Sequence, residues 1–172
     1  MIFAHPSINA KVWQTYTKAN MIDANDDTFT WWHINNDITR KGDYIGLDLK
    51  QVMKLGRFRM VIGGNPNGAD HYDKYVIRYS DDKVNWKTLG EEITQTTPKQ
   101  VEDTNFEGIT ARYIIVENLQ DKPNWIQISE FMVETTEIDQ PEEPGDKEVD
   151  KTKLKALLDK ANAVDKASYT PE

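Results

Sequence analysis

The stretch K-Y-V-I-R-Y-S, residues 74–80, decides the fold, because its large apolar side chains alternate with other residues. Tyr75, Ile77 and Tyr79 share one side of such a segment, which is the pattern of a β-strand with one buried face. Short strands separated by Asn, Asp, Gly and Pro predict an all-β antiparallel sandwich. Four further stretches have strand patterning: 43–49 (DYIGLDL), 56–62 (GRFRMVI), 111–117 (ARYIIVE) and 125–133 (WIQISEFMV).

The composition changes near Thr135. Residues 137–150 are acidic and rich in proline, which predicts a solvated linker after a β-sandwich of residues 1–136. Residues 151–172 carry Leu154, Leu157, Leu158 and Ala161 with the spacing of one apolar helix stripe. A single stripe needs another surface to pack on, so we expect contacts with other modules of the same polypeptide.

Net charge and composition narrow the possible partners. The charge of −8 disfavours nucleic acid and anionic membranes, which both attract Lys and Arg clusters. There is no cysteine, and no apolar run is long enough to span a bilayer. The first residues do not read as a signal peptide. We therefore expect a monomer that binds neither nucleic acid nor membrane.

An oxygen-rich loop, Asn20–Thr28, is the first candidate site. Asp23, Asn25, Asp26 and Thr28 offer the hard oxygen ligands that Ca²⁺ prefers, although the loop is not an EF-hand. A simple turn rich in Asn and Asp explains the same composition. From the residues alone, both interpretations remain open.

Aromatic and polar residues suggest a sugar site. A sugar stacks its C–H face on an aromatic ring, and its hydroxyls bind polar side chains. Since neighbours in a strand face opposite ways, only one of Trp31 and Trp32 is expected outside the core. We expect Trp32→Ala or His33→Ala to abolish binding without unfolding. Loops of one sandwich end converge, so the candidate ligand contacts are Trp31, Trp32, His33, Asn65, Asn67, Asp70, His71, Asn118, Asn124 and Trp125.

Catalysis within this chain is not indicated. The sequence has no nucleophile elbow, P-loop, zinc-protease motif or dinucleotide-binding motif. Carboxylate pairs arise by chance among 29 acidic residues, and three histidines are few for a zinc site. We therefore predict a binding module with no catalytic residues.

The ordered motifs N-x-I-D-x-N-x-D-T-x-x-W-W, GDYIGLDL, KYVIRYSDDxxNW, ARYIIV and ISEFMV resemble the discoidin or coagulation-factor type C fold. Within it, residues 7–134 look most like the family 32 carbohydrate-binding modules of bacterial glycoside hydrolases. The resemblance implies an antiparallel jelly-roll β-sandwich with one structural Ca²⁺. Its ligands would be oxygens of Asn20, Asp23, Asp26, Thr28 and Glu130.

The resemblance also implies a sugar site made by loops at one end. His33, Asn65 or Asn67, and Trp125 match the histidine, asparagine and late aromatic of galactose-binding members. The arginine of those members has no counterpart in residues 63–75. Ala24 and Lys83 stand where the family often has glycine.

The tail, residues 151–172, resembles the start of a FIVAR module, a small helical repeat of Gram-positive surface and secreted proteins. Together the two resemblances imply a module of a secreted or cell-surface bacterial glycoside hydrolase, resembling a hexosaminidase or hyaluronidase. Its glycan partners would end in galactose, N-acetylglucosamine or N-acetylgalactosamine. A protein-interaction or adhesion module on the same fold is the alternative.

Overall fold

The computed structural model describes residues 1–12, 16–34, 37–64, 68, 70–138 and 155. A 3-10 helix, Lys18–Met21, precedes β3. The strands of the described chain are β1 (Ile2–Ala4), β2 (Ile8–Val12), β3 (Thr30–Ile34), β4 (Tyr44–Ile62), β5 (Lys74–Ser80), β6 (Lys87–Thr94), β7 (Gln100–Asn105), β8 (Thr110–Asn118) and β9 (Ile126–Thr136).

Strand β4 belongs to both layers of the sandwich. Its first part, residues 44–48, pairs with β8 and β1, and β5 and β6 continue that layer. Its last part, residues 57–62, pairs with β7 and β9, and β3 and β2 continue the other layer. All these pairings are antiparallel, so the predicted all-β antiparallel sandwich is confirmed.

The prediction of two separate strands at 43–49 and 56–62 was wrong, because β4 runs through both. The intervening K-Q-V-M-K is largely exposed, and Lys50 has a left-handed φ of 78°. The pairing with β8 shifts register between Asp48 and Met53. A polar, irregular middle therefore looks like a turn in the sequence, although it is where one strand changes layers.

The core fills the space between the layers with the faces that alternation predicts. Phe58 is fully buried and contacts Phe106 and Phe131 edge-on, with ring centroids 5.5 and 5.3 Å away. Tyr75 and Ile77 line the opposite layer and are also buried. Burial of one such side chain contributes about 1.5–3 kcal/mol to folding.

Strands β6 and β7 were not predicted, because their sequences carry little apolar alternation. Residues of β6, K-T-L-G-E-E-I-T, are mostly exposed, and so are those of β7, Q-V-E-D-T-N. Each pairs with one neighbouring strand. Polar strands of this kind are typical of sheet edges, where one backbone edge faces water.

The chain divides into two compact units, Met1–Ile138 and Asp139–Glu172. The first unit ends two residues after β9. The predicted linker, 137–150, and the predicted helical segment, 151–172, fall almost wholly outside the described residues. No helix in the described ranges combines the length and apolar character of a membrane span.

Candidate functional site

Three loops meet at one end of the sandwich, and Asn124 joins them. Its Oδ1 accepts a hydrogen bond from Thr39 Oγ1 over 2.9 Å, in the loop between β3 and β4. Its Nδ2 donates to the carbonyl oxygen of His71 over 2.7 Å, in the loop between β4 and β5. Thr39 and Lys122 also form a two-residue backbone bridge. The predicted convergence of these loops is therefore present.

A shallow cavity of about 470 Å³, wide open to solvent, lies where the loops meet. The rings of Trp31 and Trp125 meet edge-to-face, with centroids 5.7 Å apart. Tyr16 packs edge-on against Trp31 from another side, at 5.6 Å. The described residues that line the cavity are Trp31, Asp37, Asp70, Pro123, Asn124 and Trp125.

Two carboxylates hold Trp125 in place. Its indole N–H donates to Asp37 Oδ1 over 2.5 Å, and its backbone N–H donates to Asp70 Oδ1 over 3.2 Å. Hydrogen bonds to charged acceptors are stronger than neutral ones. The ring is therefore fixed at the cavity wall before any ligand arrives. Asp37 was not among the predicted site residues, and its place in the polar stretch N-N-D after the aromatic run is the sequence signal that could have found it.

Trp32 is not the exposed tryptophan, and its predicted contact with ligand was wrong. It is fully buried, its Nε1 lies 3.4 Å from Met21 Sδ, and Lys18 Nζ lies 5.0 Å from the ring. The half-buried Trp31 is the one at the cavity. Strand alternation predicts this division but cannot say which member of the pair faces the core.

The predicted ligand contact of Asn118 was also wrong, because its side chain is buried and bound to the backbone. Its exposed fraction is 1%, and Nδ2 donates to the carbonyl oxygens of Arg40 and Gln120 over 2.9 and 2.6 Å. The amide therefore shapes the loops instead of meeting a ligand.

His71 lies beside the cavity as part of the loop scaffold. Its imidazole Nδ1 is 3.2 Å from the carbonyl oxygen of Tyr72. Burial, and then the charge of Lys122, lower the pKa of His71. The side chain of His33, in β3, and the residues Asn65 and Asn67 are outside the described part of the structure, so their predicted roles stay predictions.

The oxygen-rich loop makes a second cluster, closed by the last strand. Thr28 Oγ1 lies 2.7 Å from Asp23 Oδ2 and 3.0 Å from the carbonyl oxygen of Asn25. The Asn25 backbone N–H donates to Glu130 Oε1 over 2.7 Å. The loop before β3 and strand β9 thus share one group of oxygen atoms.

Glu130 is the unusual member of this group. It is fully buried, and its Oε2 has no hydrogen-bond partner among the described residues. Burial, with the Asp23 and Asp26 carboxylates nearby, raises the pKa of Glu130 to about 7. A buried carboxylate oxygen without a donor is costly, and a cation is one group that would satisfy it.

The side chains of Asn20 and Asp26 are engaged elsewhere. Asp26 forms a two-pronged ion pair with Arg59, at 2.7 and 2.6 Å, and this guanidinium lowers the pKa of Asp26. Asn20 Nδ2 donates to the carbonyl oxygen of Phe29 over 3.0 Å, and its Oδ1 accepts from Thr17. The main-chain oxygen of Asp26 also accepts a hydrogen bond from Lys99 Nζ, so protein partners hold Asp26 through both its carboxylate and its carbonyl.

The donor set that fits a cation is therefore Asp23, Thr28, Glu130 and the Asn25 carbonyl. Within the described ranges, no three His, Cys, Asp or Glu side chains come together as a metal group. Two carboxylates with neutral hydroxyl and carbonyl oxygens suit Ca²⁺, which accepts mixed oxygen ligands.

Comparison with known proteins decides the family. The F5/8 type C domain family matches residues 7–131. The chain belongs to the F5/8 type C domain family. The predicted resemblance to the discoidin and coagulation-factor type C fold is thereby confirmed. No curated protein is similar enough to this F5/8 type C domain to count as a match.

Solved structures share the fold of this F5/8 type C domain. CBM32-1 from a family 31 glycoside hydrolase of Clostridium perfringens is 16% identical, with a TM-score of 0.57 over 77% of this chain and 92% of that one. The family 32 module of C. perfringens NanJ, in complex with galactose, is 18% identical, with a TM-score of 0.55 over 77% and 98%.

A third similar structure is chitosan-binding module 2 of a chitosanase/glucanase from Paenibacillus sp. IK-5, in complex with chitotriose. It is 16% identical, with a TM-score of 0.55 over 77% of this chain and 94% of that one. At such identities the likeness shows the fold of the F5/8 type C domain, which is that of these carbohydrate-binding modules.

Proposed function

We propose that this domain is a non-catalytic carbohydrate-binding module whose ligand lies in the cavity between Trp31 and Trp125. The observation that carries the proposal is the pair of indole rings, 5.7 Å apart, at a cavity of about 470 Å³. An aromatic wall offers a surface for the C–H face of a sugar, and the Asp37 and Asp70 carboxylates offer partners for hydroxyl groups.

The ligand class we propose is a terminal hexose or hexosamine of a host glycan. Galactose, N-acetylglucosamine and N-acetylgalactosamine are candidates, together with the un-acetylated hexosamines. Modules of the same fold hold galactose and chitotriose in the solved structures described above. A site of this size buries few atoms, so a dissociation constant on the order of tens of micromolar to millimolar is expected. Sister modules on one polypeptide would raise the avidity.

We also propose that the domain holds one structural Ca²⁺ at Asp23, Thr28, Glu130 and the Asn25 carbonyl. Support comes from the buried Glu130 Oε2, which has no hydrogen-bond partner among the described residues, and from the carboxylate of Asp23 close by. A cation there would neutralise two acidic groups and join the loop before β3 to β9. Its contribution would be to stability and to the shape of the first loop.

The parent protein we propose is a secreted or cell-surface bacterial glycoside hydrolase with several modules. The domain would keep a hexosaminidase- or hyaluronidase-like catalytic module close to its substrate. Support comes from the shared fold with a module of a family 31 glycoside hydrolase.

A glycan array, run with Ca²⁺ and again with EDTA, tests the sugar-binding proposal. Trp125→Ala should remove the signal. Trp86→Ala is the matched control, because Trp86 follows β5 at the end away from Asp70 and its indole N–H donates to the carbonyl oxygen of Lys83 over 3.0 Å. A blank array from folded, calcium-loaded protein would contradict the proposal and favour an adhesion module that binds protein.

A further inference from the structure

We propose that the cavity selects sugars bearing a protonated amino group over their N-acetylated and anionic counterparts. This inference rests on the proposed sugar-binding function and names the ligand chemistry of the same site. The chemical class is an un-acetylated hexosamine unit, whose ammonium group is compact and positively charged.

The charges at the cavity carry the inference. Of the six described residues that line it, Asp37 and Asp70 are carboxylates and none is basic. Lys122, beside Pro123, is bound to the Asp73 carboxylate and to the carbonyl oxygen of His71. Among nearby loop positions, residues 35–36, 65–67 and 69 are Asn, Pro or Ala, so they add no charge wherever they lie.

The two carboxylates both accept hydrogen bonds from Trp125. Asp37 contacts the indole N–H of Trp125, and Asp70 contacts its backbone N–H. A carboxylate forms strong, charge-assisted hydrogen bonds with an ammonium group. An indole face also attracts cations, more than any other aromatic side chain does. Both attractions converge on the ligand beside Trp125.

The same groups disfavour the other sugar classes. An N-acetyl group is larger and neutral, so it forgoes the charge-assisted bonds. A uronic acid brings a third carboxylate to a wall that already has two. The net charge of −8 adds a long-range attraction for cationic ligands and a repulsion for anionic ones.

A competing explanation is that Asp37 and Asp70 serve only to orient Trp125. Asparagine separates the two roles, because its Oδ1 still accepts the N–H of Trp125 while the charge is gone. At position 37 the left-handed φ of 55° also suits asparagine. Asp37→Asn and Asp70→Asn should therefore keep the ring in place and remove only the electrostatic contribution.

Calorimetric titration would compare the glucosamine trimer with the N-acetylglucosamine trimer, galactose and galacturonic acid. For the intact domain we expect the glucosamine trimer to bind about tenfold more tightly than the N-acetylated trimer. The gap should shrink to about threefold or less in Asp37→Asn/Asp70→Asn, and it should narrow with added salt.

Asp81→Asn is the charge-matched control. Asp81 is exposed and follows β5, whose seven residues separate it from the Asp70 loop by roughly 20 Å. The Asp81→Asn substitution removes one negative charge from the protein surface and none from the cavity, so it should leave the preference for glucosamine unchanged.

The outcomes distinguish a failure of this inference from a failure of the proposed sugar-binding function. Equal affinity for both trimers, abolished by Trp125→Ala, would overturn the amine preference and leave the sugar site standing. A glucosamine preference that survives in Asp37→Asn/Asp70→Asn would also overturn the inference. So would a preference that Asp81→Asn reduces as much as the double variant does, since the attraction would then be non-specific. Binding of no sugar at all would overturn both proposals.

Discussion

Glu130 accepts a hydrogen bond from the backbone N–H of Asn25 over 2.7 Å, across 105 residues of sequence. The contact brings the last strand, β9, against the loop that precedes β3. Because the second oxygen of Glu130 is buried and finds no hydrogen-bond partner in the part of the chain that the structure describes, this junction is where a bound cation would matter most.

We expect Ca²⁺ to raise the melting temperature of the domain by about 5 °C or more at saturating concentration, and EDTA to reverse the change. Glu130→Gln and Asp23→Asn should lose the response, because each removes a proposed ligand charge. Asp26→Asn is the matched control, since its carboxylate is engaged by Arg59. A response that Asp26→Asn abolishes and Glu130→Gln preserves would refute the proposed ligand set.

Replacing a tryptophan of the core and a tryptophan of the cavity should separate effects on stability from effects on binding. Trp32→Ala empties a fully buried position and should lower the free energy of unfolding by about 3–5 kcal/mol. Trp125→Ala should cost much less stability and abolish sugar binding. Chemical denaturation and calorimetry measure both quantities. A Trp32→Ala protein of normal stability would show that the core is assigned wrongly.

Ala24→Gly should stabilise the domain by about 0.5–1 kcal/mol. Ala24 has a left-handed φ of 59°, which glycine adopts without the steric cost of a Cβ. Lys83 has a similar φ of 65°, but its ammonium lies 4.1 Å from the Phe3 ring centre and 4.9 Å from that of Tyr113.

Lys83→Gly should therefore gain less than Ala24→Gly, because relief of strain is offset by loss of the cation–π contacts. Urea denaturation of both variants checks the order. A larger gain for Lys83→Gly would show that the ring contacts contribute nothing.

Asp48→Asn should change the response of stability to acid. Hydrogen bonds from Arg112 lower the pKa of the buried Asp48 carboxyl from 3.8 to about 2. A lowered pKa stabilises the fold above about pH 4, and this stabilisation disappears as the pH falls through about 2.

We therefore expect Asp48→Asn to be less stable by roughly 1–2 kcal/mol at pH 7, with the difference from the unaltered domain shrinking below pH 4. Other carboxylates titrate in both proteins, so the difference between them isolates Asp48. Thermal unfolding between pH 2 and pH 7 measures it. A difference that stays constant with pH would point to lost packing instead of lost charge.

The sequence predicts the buried strands better than the edges or the irregular middle of β4. Tyr75, Ile77, Phe58 and Met60 fall on the predicted inner faces, since alternation records which side a strand buries. The exposed strand β7 records no such difference between its faces. Burial leaves a pattern in the sequence, whereas backbone pairing at an edge leaves little.

The candidate site was predicted by kind of residue more than by position. Trp31 and Trp125 were both named, and the structure brings them together. Trp32 and Asn118 were named too, yet both are buried, because an isolated sequence does not give the direction of a side chain. Asp37 was missed, since its role depends on Trp125, which lies 88 residues away.

Strand β4 makes the two layers share one central strand. Neither layer can therefore melt while the other persists, and unfolding should be a single cooperative transition. Its partners β8 and β9 come roughly fifty or more residues later in the chain, so long loops must close before these strands can pair. Such dependence on non-local pairing predicts slow folding, on the order of milliseconds to seconds.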